Sequence, residues 1–257
     1  MSRLRRLLFG APVPIITVLG YYLWTRDAAD PFYPGISLIV DSLNAVWLFE
    51  AAGSDVVPSL RNLFTGYGIA TVAGVGLGLG VGLVRWASEL VMPMMNFARS
   101  VPPLMLIPPM VLVFGVGDLS KVTIVALGSF FPVLLATIDG VRQTEAGHLD
   151  AVKAMRLRPV QRLTRLWLPS ATPSMFAGLQ TGLQFALVLM VASEMVASTR
   201  GIGYQTVQSQ LTFNSPGVWS GIIVLAVLGF LLNAVFTGIR NRVLAWHIGM
   251  RARAHDA

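Results

Sequence analysis

Residues 66–84 read GYGIATVAGVGLGLGVGLV, a run with no charged side chain in which a small residue returns at every fourth position: Gly66, Ala70, Gly74, Gly78 and Gly82. On a helix of 3.6 residues per turn those positions share one face. About 20 apolar residues at 1.5 Å rise are needed to cross ~30 Å of hydrocarbon, so the run has the length and composition of a membrane span. Lipid supplies no hydrophobic drive between helices. A smooth small-residue face is instead how two backbones approach closely there, and Gly66, Gly74, Gly78 and Gly82 are expected to form a helix-packing strip that Gly76 and Gly80 widen. The competing reading is a phosphate-binding glycine loop, which needs GxGxxG opening a helix after a strand, or GxxxxGK[ST]. The chain contains neither pattern in that context, so it has no Walker site of its own for ATP.

The rest of the chain agrees with the span. Of its 257 residues 54% are hydrophobic and only 12% charged, and mean hydropathy is +0.68, which is not the balance of a water-soluble domain. Six charge-free apolar runs have spanning length: Leu7–Trp24, Leu63–Val84, Val101–Gly117, Val122–Ile138, Ala171–Ser193 and Gly217–Ile239. The chain reads as an all-α polytopic membrane protein with six transmembrane helices in a single domain, 1–257. The first run follows Arg3, Arg5 and Arg6, but no small-x-small cleavage site follows it before Asp27, so it reads as a retained helix rather than a signal peptide. The third run carries Pro102, Pro103, Pro108 and Pro109, each lacking a backbone donor and straining the turn before it. Such broken helices occur along transport pathways and also as kinked structural helices.

The chain carries a net charge of +7 and has a pI near 10.5, but its basic residues sit in short segments between apolar runs. That excludes a nucleic-acid-binding face and fits positive-inside loops. With the N-terminus in the cytoplasm and six crossings, the inner segments hold 15 of the 19 Lys and Arg residues and the outer ones only 4. There is no cysteine, so thiolate chemistry and cysteine-ligated metals are excluded, and His148, His247 and His255 have no ligand spacing, so zinc is not expected. No span carries GxSxG, HExxH or paired carboxylates, so the chain reads as a non-enzyme that binds no cofactor. The longest inner segment, 141–170, has six basic residues and apolar positions at helical spacing: Leu149, Val152 and Met155, then, after Pro159, Val160, Leu163, Leu166 and Trp167. Two short amphipathic surface helices are expected there.

Within that segment, Asp150-Ala151-Val152-Lys153-Ala154-Met155-Arg156, followed by Leu168-Pro169, resembles the EAA loop of permease subunits of binding-protein-dependent ABC importers. The distance from Arg156 to Pro169 matches the family pattern. Asp150 and Val152 depart from Glu-Ala-Ala, and Arg156 stands where the family has a glycine at the turn between the two loop helices. Four further stretches extend the resemblance, and they are most similar to the nitrate, taurine and alkanesulfonate branch. They are Ser59–Gly82; Ser100-Val101-Pro102-Pro103-Leu104 with Phe114–Lys121; Phe130-Phe131-Pro132; and Ala192-Ser193-Glu194-Met195 through Gly201-Ile202-Gly203-Tyr204.

The resemblance implies a type I ABC importer permease-like bundle in the cytoplasmic (inner) membrane, pairing as a homodimer around a central pathway. It implies two separate ATP-binding subunits that carry ATP and Mg, an extracytoplasmic substrate-binding protein, and membrane lipid as the surroundings. Asp150, Ala151, Val152, Ala154, Met155, Arg156, Leu157 and Pro169 would then couple to the ATPase. Pro102, Pro103, Pro108, Ser129, Gln180, Gln184, Ser193 and Glu194 are candidates for the pathway or its gate, although polar groups in a bundle also serve to join helices. Glu194 needs a partner at its depth, and Lys121, at the same end of the fourth span, is the nearest candidate. A secondary transporter would show more spans, an internal repeat and mid-membrane charge, and none of these is seen; a channel or scaffold is the remaining alternative.

Overall fold

The computed structural model describes residues 12–25, 31–144 and 158–246, and every regular element among them is helical. In chain order these are α1 (Pro12–Thr25), α2 (Ile36–Ser42, continued by π-type turns Leu43–Glu50 and Ala52–Val56), α3 (Val57–Leu83) and α4 (Arg85–Ala98). A 3-10 turn (Pro103–Leu106) then leads into α5 (Ile107–Phe114). They are followed by α6 (Asp118–Arg142), α7 (Leu168–Val196, entered through Pro159–Arg162 and Leu163–Trp167), α8 (Ile202–Leu211) and α9 (Ser215–Val243). Proline stands in the first turn of α9, where its missing donor costs nothing because the first four N–H groups of a helix have no partner in the helix, whereas Pro58 and Pro169 each follow a π-type turn inside a continuous helix.

The glycine strip of α3 determines how the bundle packs. A Cβ placed on Gly66 would meet Val125, on Gly74 Val133, on Gly78 Thr137 and on Gly82 Val141, each at 2.6–2.9 Å. The sequence offset is constant across these contacts (125 less 66, 133 less 74, 137 less 78, 141 less 82), so α3 and α6 run parallel. Two parallel neighbours require the chain to cross back between them, and only residues 84–117 can do so. Gly76 and Gly80 have nothing within 4 Å. They therefore do not widen the strip as expected, because two residues from a contact position a helix has turned well away from its partner.

On its other side α6 meets α7 antiparallel: Gly140 lies against Ala171 and Ser174, Gly178 against Pro132 and Ala136, and Gly182 against Ser129 and Val133. The central helix is accordingly the most enclosed, with 61% of its apolar window buried against 0% for α9, whose Phe230, Leu231 and Val235 face outward. Leu63, Ile107, Ile124, Val125, Leu183, Ala186, Leu189 and Met190 form the main core where α3, α5, α6 and α7 meet.

Among the described residues, four helices are long and apolar enough to cross a membrane, and a fifth crossing is available if the bent pair α4 with Pro103–Phe114 counts as one. The expected six spans are thus not all reproduced; the first expected span, Leu7–Trp24, is described only from Pro12 onward. The third expected span, Val101–Gly117, is not a single helix. Pro102 is held extended (φ −59°, ψ 124°) ahead of Pro103, as a residue before proline must be, and α4 meets the following helical segment at 81°. Pro108 and Pro109 do not strain a helix interior as expected, because they fall in the first turn of α5. That helix ends at Gly115, whose φ of 76° favours glycine.

Candidate functional site

The end of the bundle where α3 and α6 begin and α7 stops gathers nearly all of the buried charge. Asp118, in the first turn of α6, accepts from Arg61 of α3, from Asn62 Nδ2 at 3.0 Å and from Arg200 Nη2 at 2.7 Å. Three cross-helix donors on one carboxylate tie α3, α6 and the α7–α8 turn together. Lys121, one turn further along α6, is buried; its Nζ donates to Ser198 Oγ at 2.6 Å and lies 3.9 Å from Asp118 Oδ1.

Glu194, in the last turn of α7, is 1% exposed. Its Oε1 lies 2.6 Å from Ser59 Oγ on α3, and its Oε2 accepts from the Gly203 N–H at 3.0 Å. Asp55 grips the same turn, accepting from the Gly201 N–H at 2.7 Å, while Ser59 Oγ accepts from the Ile202 N–H at 3.1 Å. The expected partner, Lys121, instead spends its hydrogen bonds on Ser198 and the Arg200 carbonyl. The α7–α8 turn supplies the correction: with φ of 122° at Gly201, it folds three successive N–H donors back over the Asp55 and Glu194 carboxylates and the Ser59 hydroxyl, and a Cβ at Gly201 would collide with the Glu194 carboxyl group. Ser59 and Asp55 lie more than 130 residues from these donors, so no local spacing pointed to them.

Below this cluster a cavity of about 740 Å³ opens between the end of α4, the Pro103 turn, α6 and α7. Its walls are mainly apolar, with Leu127, Phe131, Leu135 and Phe185 prominent, and Arg99, Asp139 and Thr181 supply polar groups. Of the residues expected along a pathway, Pro103 lines it and the others do not. Pro102, Pro108 and Gln184 are exposed elsewhere, and Ser193 is buried, donating to the Met190 carbonyl. Ser129 is fully buried beside lining residue Gly128, with no hydrogen-bond partner for its hydroxyl among the described residues. Gln180 joins α7 to α9, donating to Asn233 at 2.9 Å and accepting from Arg240 at 2.7 Å, so both ends of its amide serve packing. Arg99 and Asp139 were missed because each lies just outside a charge-free run.

At the opposite end of the bundle, Val141, Ala171, Met175 and Trp167 close the α6–α7 contact. Pro169 sits in the first turn of α7. The other residues expected to couple, Asp150, Ala151, Val152, Ala154, Met155, Arg156 and Leu157, lie outside the described residues. The second expected surface helix is not separate. Pro159–Arg162 starts with Gln161 accepting from the Arg158 N–H at 3.0 Å and runs on into α7 as one 38-residue helix, Pro159–Val196. Leu166 is buried and Val160 exposed, so the expected apolar face is only partly used.

The family model described as "Binding-protein-dependent transport system inner membrane component" matches residues 70–245. A probable ABC transporter permease protein of Brucella melitensis biotype 1 is 26% identical over 227 residues, covering 88% of this chain and 92% of that one. The taurine transport system permease protein TauC of Escherichia coli (strain K12) is 30% identical over 189 residues, covering 74% and 69%. In fold, the chain is similar to a solved structure of inward-facing conformations of the MetNI methionine ABC transporter. The TM-score is 0.60 at 20% identity, with 84% of this chain and 99% of that one covered. The match begins within α3 and runs to the end of α9, and the chain belongs to the family of inner membrane components of binding-protein-dependent transport systems.

Proposed function

We propose that the chain is one half of the permease of an ABC importer, pairing with a second copy so that two ATP-binding subunits dock on the cytoplasmic side and an extracytoplasmic binding protein delivers the solute. The family match over 70–245 carries this reading. A single EAA-like loop per chain supports the twofold pairing, since one coupling loop is then offered to each ATPase. Taurine, named for the Escherichia coli relative, makes a small sulfonate or related organic solute the substrate class to test first. The cavity beside Pro103 lies between the bent third segment and the two most tightly packed helices, which suits a passage opened and closed by small shifts of α4 and α5 against α6. Glu194 and Asp118, at the end that charge asymmetry assigns to the outside, would close that passage from above.

The coupling assignment has a direct test. Ala151 and Ala154 must be small if their helix enters a cleft on the ATPase, and Ala151→Trp overfills that contact. The variant is expected to insert and dimerise normally, to retain less ATPase on co-purification and to lose uptake. Normal retention with full uptake would remove residues 150–157 from the coupling role.

A further inference from the structure

Helix α4 was not anticipated, and its surface divides into three lengthwise strips. Ser88 is buried, and Val91, Met92, Met95 and Ala98 are half-buried on the face turned to the bundle. Arg85, Glu89 and Asn96 form a second, exposed polar strip, in which Arg85 Nε donates to Glu89 Oε1 at 3.0 Å. Trp86, Leu90, Met94 and Phe97 form the third; they are 70%, 61%, 60% and 78% exposed. At 100° per residue these four, with Pro93, occupy a sector of about 100°.

From these strips we infer that α4 does not cross the bilayer but lies flat in its cytoplasmic interface, with Trp86, Leu90, Met94 and Phe97 sunk into the inner leaflet and the Arg85–Glu89–Asn96 strip in water. A crossing helix would carry an exposed Glu89 and Asn96 through hydrocarbon along one line, at a cost that membrane spans avoid unless such groups face a partner or water. A helix in the interfacial plane satisfies all three strips at once: bundle, water and acyl chains. The 81° bend between α4 and the segment Pro103–Phe114 supplies the orientation, because the latter packs on α6 and must run back across the membrane. Residues 99–117 suffice for that return. Two short helical pieces at 1.5–2.0 Å per residue give about 20 Å, and Pro102 with residues 115–117 bring the reach to roughly 33 Å, against ~30 Å of hydrocarbon. Arg85 opens the helix, and its exposed cation suits anionic headgroups. Leu83 and Val84, also exposed, continue the apolar strip into the lipid-facing side of α3.

The chain has no cysteine, so single cysteines can be spin-labelled in the full-length protein and reconstituted in phosphatidylethanolamine–phosphatidylglycerol liposomes. Labels at Leu90, Met94 and Phe97 are expected at one shared depth, about 5–10 Å below the phosphates, accessible to oxygen. Labels at Glu89 and Asn96 are expected to be accessible to a water-soluble nickel chelate, and one at the exposed Leu112 of α5 to report deep hydrocarbon. Depth increasing by about 10 Å from 90 to 97 would mean a spanning helix and overturn the inference. Exclusion of both probes with spin–spin broadening would overturn it in favour of a second copy covering the strip. A Leu112 label outside hydrocarbon would overturn the membrane reading as well, so the two failures are distinguishable.

Discussion

Replacing Gly78 with alanine adds one methyl group where α3 and α6 have no room for it. The new Cβ would stand 2.6 Å from Thr137 Cβ, 2.9 Å from its Cγ2 and 3.0 Å from the Leu134 carbonyl oxygen. Carbon atoms prefer about 3.5–4.0 Å, so the helices must part by roughly 1 Å at that level. Because Gly66, Gly74 and Gly82 hold the same interface at matching contacts, they lose dispersion contact as the helices separate. Overpacking of this kind costs about 1–3 kcal/mol. At ~2–4 °C per kcal/mol, the thermal midpoint of the detergent-solubilised protein should fall by roughly 2–12 °C. Gly76→Ala and Gly80→Ala are the controls: their Cβ atoms meet nothing within 4 Å, and alanine's helix preference of up to ~1 kcal/mol makes them neutral or slightly stabilising. Midpoints for all three followed by intrinsic fluorescence decide the matter. If Gly78→Ala melts with Gly76→Ala, the parallel α3–α6 contact is wrong.

Gly201→Ala combines a φ of 122° with a collision against the Glu194 carboxyl group, and is expected to abolish a monodisperse peak in size-exclusion chromatography. Glu194→Ala leaves the Gly203 N–H without its acceptor, while Ser59 Oγ keeps the Asp55 carbonyl at 2.8 Å, at a cost of about 1–3 kcal/mol; a lower thermal midpoint with uptake reduced only in proportion to protein level marks a static brace. Glu194→Gln, which keeps the shape, separates a gate: near-normal stability with transport lost, or with ATP hydrolysis freed from the binding protein, is the gate's signature, and normal coupled uptake at normal stability contradicts both roles. Topology is readable with an impermeant maleimide on intact cells, where a cysteine at the exposed Gln210 should react and one at Gln143 should not; labelling at Gln143 would invert the orientation.

The packing face of α3, though not its partner α6, was legible in the sequence because one physical requirement, close backbone approach in lipid, leaves a fixed period of small residues. The same period misled at Gly76 and Gly80, since glycine composition alone does not say which face is used. Helix α4 escaped because a search for charge-free apolar runs rejects a helix carrying Arg85 and Glu89, although its three-strip pattern is present in the letters. The bend at Pro102–Pro103 was signalled by its prolines, whereas the placing of Pro108 and Pro109 in a first turn depended on where α5 begins. The Glu194 cluster depends on the Gly201 turn folding back, and Gln180 on an arginine of α9; such pairings exist only once the helices are packed, and Lys121 was chosen on depth alone.

The central claim is that transport through this chain is driven by ATP on partner subunits and fed by a binding protein. It is tested by reconstituting the permease with its ATPase in liposomes and following labelled taurine and alkanesulfonates. Uptake should require both ATP on the ATPase side and the binding protein on the other, and ATP hydrolysis should rise when the loaded binding protein is added. Solute uptake driven by an ion gradient without ATP, or unchanged when the ATPase is left out, would contradict the account.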